Sequence, residues 1–440
     1  MELHLIDEHD YATTMTETVL PALAACRSEG WMEPSHDADL APLDSLRTAP
    51  TPRKPKRGTP GSPIFGQHGE LAEVIHGTAN GERTPGRTNH GGIRPVGRMR
   101  IRPSVNASPT NARFAEDAKI GVGNADHAAA TTTDHAGKLH YICYDSAKFD
   151  AVREHGATAT FRGAVVISHG FTEFAERFAE LAWYLLLDGF SVCILEHRGH
   201  GYSPRDVEDE SLVWIDDWHR YVDDLAKFCS TIGQDYALGS PLYLYGHSMG
   251  GGIAAAMLER YPTIIDKAVL SVPMIAPKTG MPLWLAPWIV ELACAVGLSK
   301  HIAPTQQYFS EDFDEQFYQG LSMTRARWVH DLRVKHPEYH TNAATFGWVR
   351  EGLRMYRSVL RPSACAEVEA PLLVFQADND AYVLPQPQSR FVSLVRAGGC
   401  PAQLVHLRGS RHEMTTERNE IMRQYVGRIL DFLHTPLAEE

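Results

Sequence analysis

The chain has 440 residues, a formal net charge of −12 and 43% apolar residues. That length suits one large α/β domain or two smaller ones. The acidic balance argues against nucleic acid as a main partner. Seven cysteines are scattered without CxxC or metal-ligand spacing, so no metal is expected, and reduced thiols in a cytoplasmic protein are the plain reading. The first residues lack the basic-then-apolar order of a signal peptide. The most apolar window, Met281 to Gly297, is broken by Pro282, Pro287 and Glu291 and is too short for a membrane span.

In chain order, residues from about His9 to Gly30 read as one helix, with Met15, Val19, Leu20 and Leu23 on one side. This makes residues 1–35 an N-terminal helical arm. Residues 36–136 are rich in Pro, Gly, Thr, Arg and His, with few aromatic residues. Between Arg47 and Lys119 there are 13 Lys and Arg against 5 Asp and Glu. Such a stretch buries too little apolar surface to offset its ordering entropy, so a basic, mostly disordered insertion is expected. The folded domain is expected over residues 137–440. It opens with the alternating strand Lys138–Tyr144. Strands then fall at Ala164–Ser168, Val192–Glu196, Leu242–Tyr245, Ala268–Val272, Leu372–Gln376 and Gln403–Leu407. Helical patterns lie between, at Phe174–Leu187, Trp214–Thr231, Gly252–Arg260 and Asn419–Leu433. Near-continuous apolar strands alternating with helices predict a mostly parallel sheet covered on both faces. From about 273 to 362 no clear strand is expected, only helices, the size of a lid inserted over the strand ends.

Gly246-His247-Ser248-Met249-Gly250-Gly251 sits between a strand and a small-residue helix. That context makes Gly-x-Ser-x-Gly a nucleophile elbow, with Ser248 on the turn. A serine hydroxyl needs a base, and the base needs an orienting carboxylate. Asp380 follows the strand at 372–376 and is the preferred carboxylate; Asp378 competes, as a residue that caps the turn. His412 follows the last strand and is the expected base. His406 lies within that strand, and His434 at the far end of a helix. The backbone N–H groups of Met249 and Phe171 are the expected oxyanion donors. His169 is read as a loop brace, and Glu173 as a brace or a headgroup contact.

Five motifs carry a family resemblance. They are His169-Gly170-Phe171-Thr172-Glu173 with Arg177, the run Glu196-His197-Arg198-Gly199-His200-Gly201-Tyr202-Ser203, the elbow, the Asp380 loop and His412-Glu413. Tyr221-Val222-Asp223-Asp224-Leu225 and Phe346–Glu351 add to it. Together they resemble the lysophospholipase and monoacylglycerol lipase branch of the α/β hydrolases. The resemblance implies an α/β-hydrolase fold with a helical lid, a Ser248-His412-Asp380 site, no cofactor, and a lipid-like ester substrate. Glu196, Arg198 and His200 are expected to form a structural turn, and Asp224 to lie on a helix face. The relatives often carry Asp where Glu196 stands, and the basic insertion is unlike them. Trp284 and Trp288, four residues apart, would suit peripheral contact with a lipid surface. Oligomeric state is left open. The alternatives are a small-ester esterase, an aminopeptidase or an acyltransferase on the same machinery, and a non-catalytic binding protein.

Overall fold

The computed structural model describes residues 3–36, 39–40, 135–149 and 160–436. The expected basic insertion lies almost wholly outside these residues. Among the described residues ten strands form: β1 (Arg27–Met32), β2 (Leu139–Tyr144), β3 (Gly163–Ser168), β4 (Phe190–Leu195), β5 (Leu212–Val213), β6 (Leu242–His247), β7 (Lys267–Ser271), β8 (Ala343–Ala344), β9 (Leu372–Asn379) and β10 (Ala402–Arg411). Eight of them build one sheet in the order β1-β2-β4-β3-β6-β7-β9-β10. The six strands from β4 to β10 in that order are mutually parallel; β2 runs antiparallel to β4, and β1 antiparallel to β2.

Both faces of the sheet are covered. Val166 and Leu244 point into a core with helices His219–Phe228, Ser248–Arg260 and Pro385–Gly398. Val165, Ile167, Tyr243 and Tyr245 point into the opposite core, with Ala179–Leu187, Asn419–His434 and the N-terminal arm. Burial on both sides explains why these strands carry no polar alternation.

The arm departs from the expected single helix. Its helical turns end at Cys26, and Arg27–Met32 continue as an edge strand. Met32 pairs with Leu139 and Arg27 with Tyr144. His140 fixes the pairing from the neighbouring strand: its Nε2 lies 2.8 Å from Glu29 and its Nδ1 2.8 Å from Glu196. Helix Pro385–Gly398 was not announced by the apolar pattern either.

From Pro273 to Pro362 the chain forms helices Ala286–Ala293, Met323–Lys335 and Phe346–Val359. Contrary to expectation it also holds a strand: the two-residue β8 pairs in parallel with β5. Helix Met323–Lys335 is bolted down by Arg325, which is fully buried. Its guanidinium donates to both oxygens of Glu180, at 2.7 and 2.8 Å, and to Asn419 Oδ1 at 2.8 Å. Tyr11 and Tyr184 hydroxyls donate to the same carboxylate. Helix Ala286–Ala293 differs. Trp284 and Trp288 beside and on it are 72% and 74% exposed, and Ile289, Leu292 and Val296 are also exposed. Among the described residues no helix is long and apolar enough to cross a membrane.

Candidate active site

β6 ends at His247, and Ser248 opens the next helix with φ 49°. A serine rarely adopts that conformation, and close packing holds it there. A Cβ on Gly246 would meet the Gly250 oxygen at 2.8 Å, and one on Gly250 would meet the Ser168 oxygen at 2.1 Å. Only glycine lets the helix start press this closely on β3. The turn after β7 presses from the other side. Val272 sits at φ 40°, and the Met274 N–H donates to the Ser248 carbonyl at 2.7 Å. Val272 and Met274 were not anticipated in this role; a strained backbone leaves no mark in residue type.

His412 follows directly on β10. Its Nε2 lies 2.8 Å from Ser248 Oγ and its Nδ1 2.8 Å from Asp380 Oδ2. The carboxylate can only accept, so Nδ1 carries a proton and Nε2 is free to accept from the serine hydroxyl. Asp380 Oδ1 accepts from the Tyr382 and Val383 N–H groups at 2.8 and 2.9 Å. Burial alone would raise this carboxyl. The His412 hydrogen bond, with the charge and the two amides, outweighs burial and holds it below the usual carboxylate value. Asp378 stands apart from His412: its side chain is 40% exposed, accepts from the Gly409 N–H at 3.0 Å and faces His406.

Met249 is the second residue of the elbow helix, and its N–H has no acceptor among the described residues. The Phe171 N–H is likewise unengaged. It lies in the turn closed by the Glu173 N–H on the Gly170 carbonyl, with Thr172 at φ 63°.

The model of the serine aminopeptidase S33 family, Hydrolase_4, matches residues 159–419. The chain belongs to this family of α/β hydrolases. It is 31% identical over 280 residues to lysophospholipase L2 of Escherichia coli K12, covering 61% of this chain and 80% of that protein. It is 29% identical over 259 residues to the monoacylglycerol lipase of Mycolicibacterium smegmatis, covering 58% and 83%. In fold it is similar to a soluble variant of the Saccharomyces cerevisiae monoglyceride lipase, with TM-score 0.51, 18% identity and coverage of 68% and 91%.

In this hydrolase a second buried network stands behind the first. His247 Nδ1 lies 2.9 Å from Glu173 Oε2, and its Nε2 3.2 Å from the His412 carbonyl oxygen. Arg177 pairs with Glu173 at 2.8 Å and with Glu413. Glu173 is therefore a brace: it is buried, and it also accepts from the Gly170 N–H. His169 braces the same loop, with Nδ1 on the Gly170 carbonyl and Nε2 accepting from the His197 N–H. The turn after β4 is structural as well. Glu196 accepts from the Ala175 and Tyr202 N–H groups, and Arg198 pairs with Asp224, which also holds Ser35. Beside Met249 a narrow apolar cleft is walled by Ile253, Met274, Trp348 and Met355, with buried Glu351 at its edge.

Proposed function

We propose that this hydrolase cleaves carboxylic esters of lipid-like molecules, lysophospholipids or monoacylglycerols, by acyl transfer to water. The observation that carries the reading is the continuous chain Ser248–His412–Asp380, with both links at 2.8 Å and the serine on a strained elbow. His412 takes the Ser248 proton as the oxygen attacks the ester carbonyl. Negative charge on the carbonyl oxygen is met by the Phe171 and Met249 N–H groups. His412 then protonates the departing alcohol. A water, deprotonated by His412 in turn, releases the acyl group. Asp380 keeps the imidazole in one tautomer throughout.

The space between the apolar side chains beside Met249 holds no more than about one water molecule, so an acyl chain would enter by parting them. The lysophospholipase and monoacylglycerol lipase relatives support the lipid-like class. Residues 273–362 serve as the lid in this reading. The exposed Trp284, Trp288, Leu292 and Val296 side chains rest on the lipid surface that supplies substrate.

Ser248→Ala is expected to abolish turnover and labelling by a fluorophosphonate probe. Retained labelling would remove Ser248 as nucleophile. A panel of lysophospholipid, monoacylglycerol, short ester and aminoacyl amide then separates lipid hydrolysis from the aminopeptidase activity that the family description names.

A further inference from the structure

We propose that His247 acts as a buried imidazolium that pins the His412 backbone, and is thus a positioning residue for the reaction proposed above. The inference rests on that reading of Ser248, His412 and Asp380.

His247 Nδ1 faces a carboxylate oxygen of Glu173, and Nε2 faces the carbonyl oxygen of His412. A carbonyl has no hydrogen to give. Glu173 Oε2 already accepts from the Gly170 N–H, and the other oxygen pairs with Arg177. Both ring nitrogens must therefore donate, which only the doubly protonated ring can do. The side chain is buried, one residue before Ser248, and its ring centroid is 5.4 Å from that of His412.

Charge accounting agrees. The loop after β3 contributes Glu173 and Arg177, and the segment after β10 contributes Glu413. With His247 charged, two anions face two cations and the cluster is neutral. With His247 uncharged, one negative charge is left without a counter-charge, in a cluster that reaches solvent through Glu413. The other titratable neighbours are His412, paired with Asp380, and His169 and Tyr245. Burial lowers His169 and raises Tyr245, so both stay uncharged. For His247 itself burial would lower the value, but the Glu173 charge and hydrogen bond outweigh it and raise it above the ordinary histidine range.

A consequence follows for alkaline solution. Loss of the His247 proton removes one of two donors, and the carbonyl tether to His412 is one of the two bonds at stake. Among the described residues the His412 carbonyl then keeps only the Met414 N–H, at 2.9 Å. A small displacement of a general base costs rate while leaving substrate binding intact.

The test uses the full chain and a short soluble p-nitrophenyl ester, with kcat and KM followed from pH 5 to 10. The wild type should show an alkaline limb in kcat. His247→Gln cannot titrate; it should lower kcat at pH 7 by at least about 10-fold with KM little changed, and lose that limb. Glu173→Gln removes the anion that stabilises the imidazolium; its limb should move down by about one pH unit or more. Nitrogen-15 NMR of the wild type should find both His247 nitrogens protonated at pH 7, a result that needs no variant to fold. A wild-type limb retained in both variants, or a neutral His247 at pH 7, overturns the inference. Turnover by Ser248→Ala would instead overturn the reading of the site, so the two failures are distinguishable.

Discussion

Gly250→Ala is the sharpest test of the elbow packing. The new carbon would stand 2.1 Å from the Ser168 carbonyl oxygen and 2.4 Å from that of His169, whereas ordinary contact begins near 3.4 Å. Both obstacles are backbone, so no side chain can turn aside. Strand β3 and the elbow helix would have to part by about 1.3 Å in an interior packed like a crystal. Overpacking of this kind costs about 1–3 kcal/mol of stability. The functional cost should be larger in effect. The loop carrying the Phe171 N–H leaves β3 at this point, while Met249 and Ser248 ride on the helix. A separation near 1 Å between two halves of a site costs about 100-fold in rate, equivalent to about 2.7 kcal/mol in the barrier. Ester hydrolysis and urea unfolding, measured on the same preparation, report the two terms. A variant with kcat/KM within threefold of wild type and an unchanged unfolding midpoint would refute the claim that this contact sets the site.

Three further outcomes are expected. Asp380→Asn should cut kcat by about 10³–10⁴-fold, because an amide no longer fixes the His412 tautomer, while Asp378→Asn should stay within a few-fold; similar losses in both would reverse the assignment. Glu180→Gln strips the buried Arg325 of its nearer charge partner, leaving Glu8 at 3.9 Å, and should cost about 3–5 kcal/mol in urea unfolding; a loss below about 1 kcal/mol would mean the pair adds little. Glu259 is 7% exposed, its Oε1 has no hydrogen-bond partner among the described residues, and burial pushes its carboxyl up to about 9. The folded state then binds a proton that the unfolded state releases between about pH 4.5 and 9, so stability falls as pH rises through that window. Glu259→Gln should therefore stabilise by about 1–3 kcal/mol at pH 7 and change little at pH 4; equal melting shifts at both pH values would contradict this.

What could be read from the sequence was local. The glycines around Ser248 advertise the elbow because strand, turn and helix meet within a dozen residues. Asp380 and His412 are recognisable because each follows its own strand. The rest depended on partners distant in sequence. Arg27–Met32 become a strand only because Leu139–Tyr144 lie beside them, and nothing in the six residues says so. Arg325 sits in Met323–Lys335, a stretch as polar as any exposed helix, yet it is fully buried against Glu180. His247 marks the family by its place in the motif, but its duty to His412 is set by a carbonyl 165 residues away. Glu173 takes its role from Arg177 and His247 on either side of it.

The pairing of β1 with β2 has a last consequence. Met32 and Leu139 are cross-strand partners, and residues 33–138 join them in the chain. Covalent continuity between the two strands is dispensable in principle. Residues 3–36 are held by six rungs of strand pairing, by the Tyr11 hydroxyl on Glu180, by Asn419 on Ile6 and by Asp224 on Ser35. A single backbone cut within the connection would leave two fragments with a ready-made complementary surface, which makes this edge the natural place to split the enzyme into a reconstituting pair.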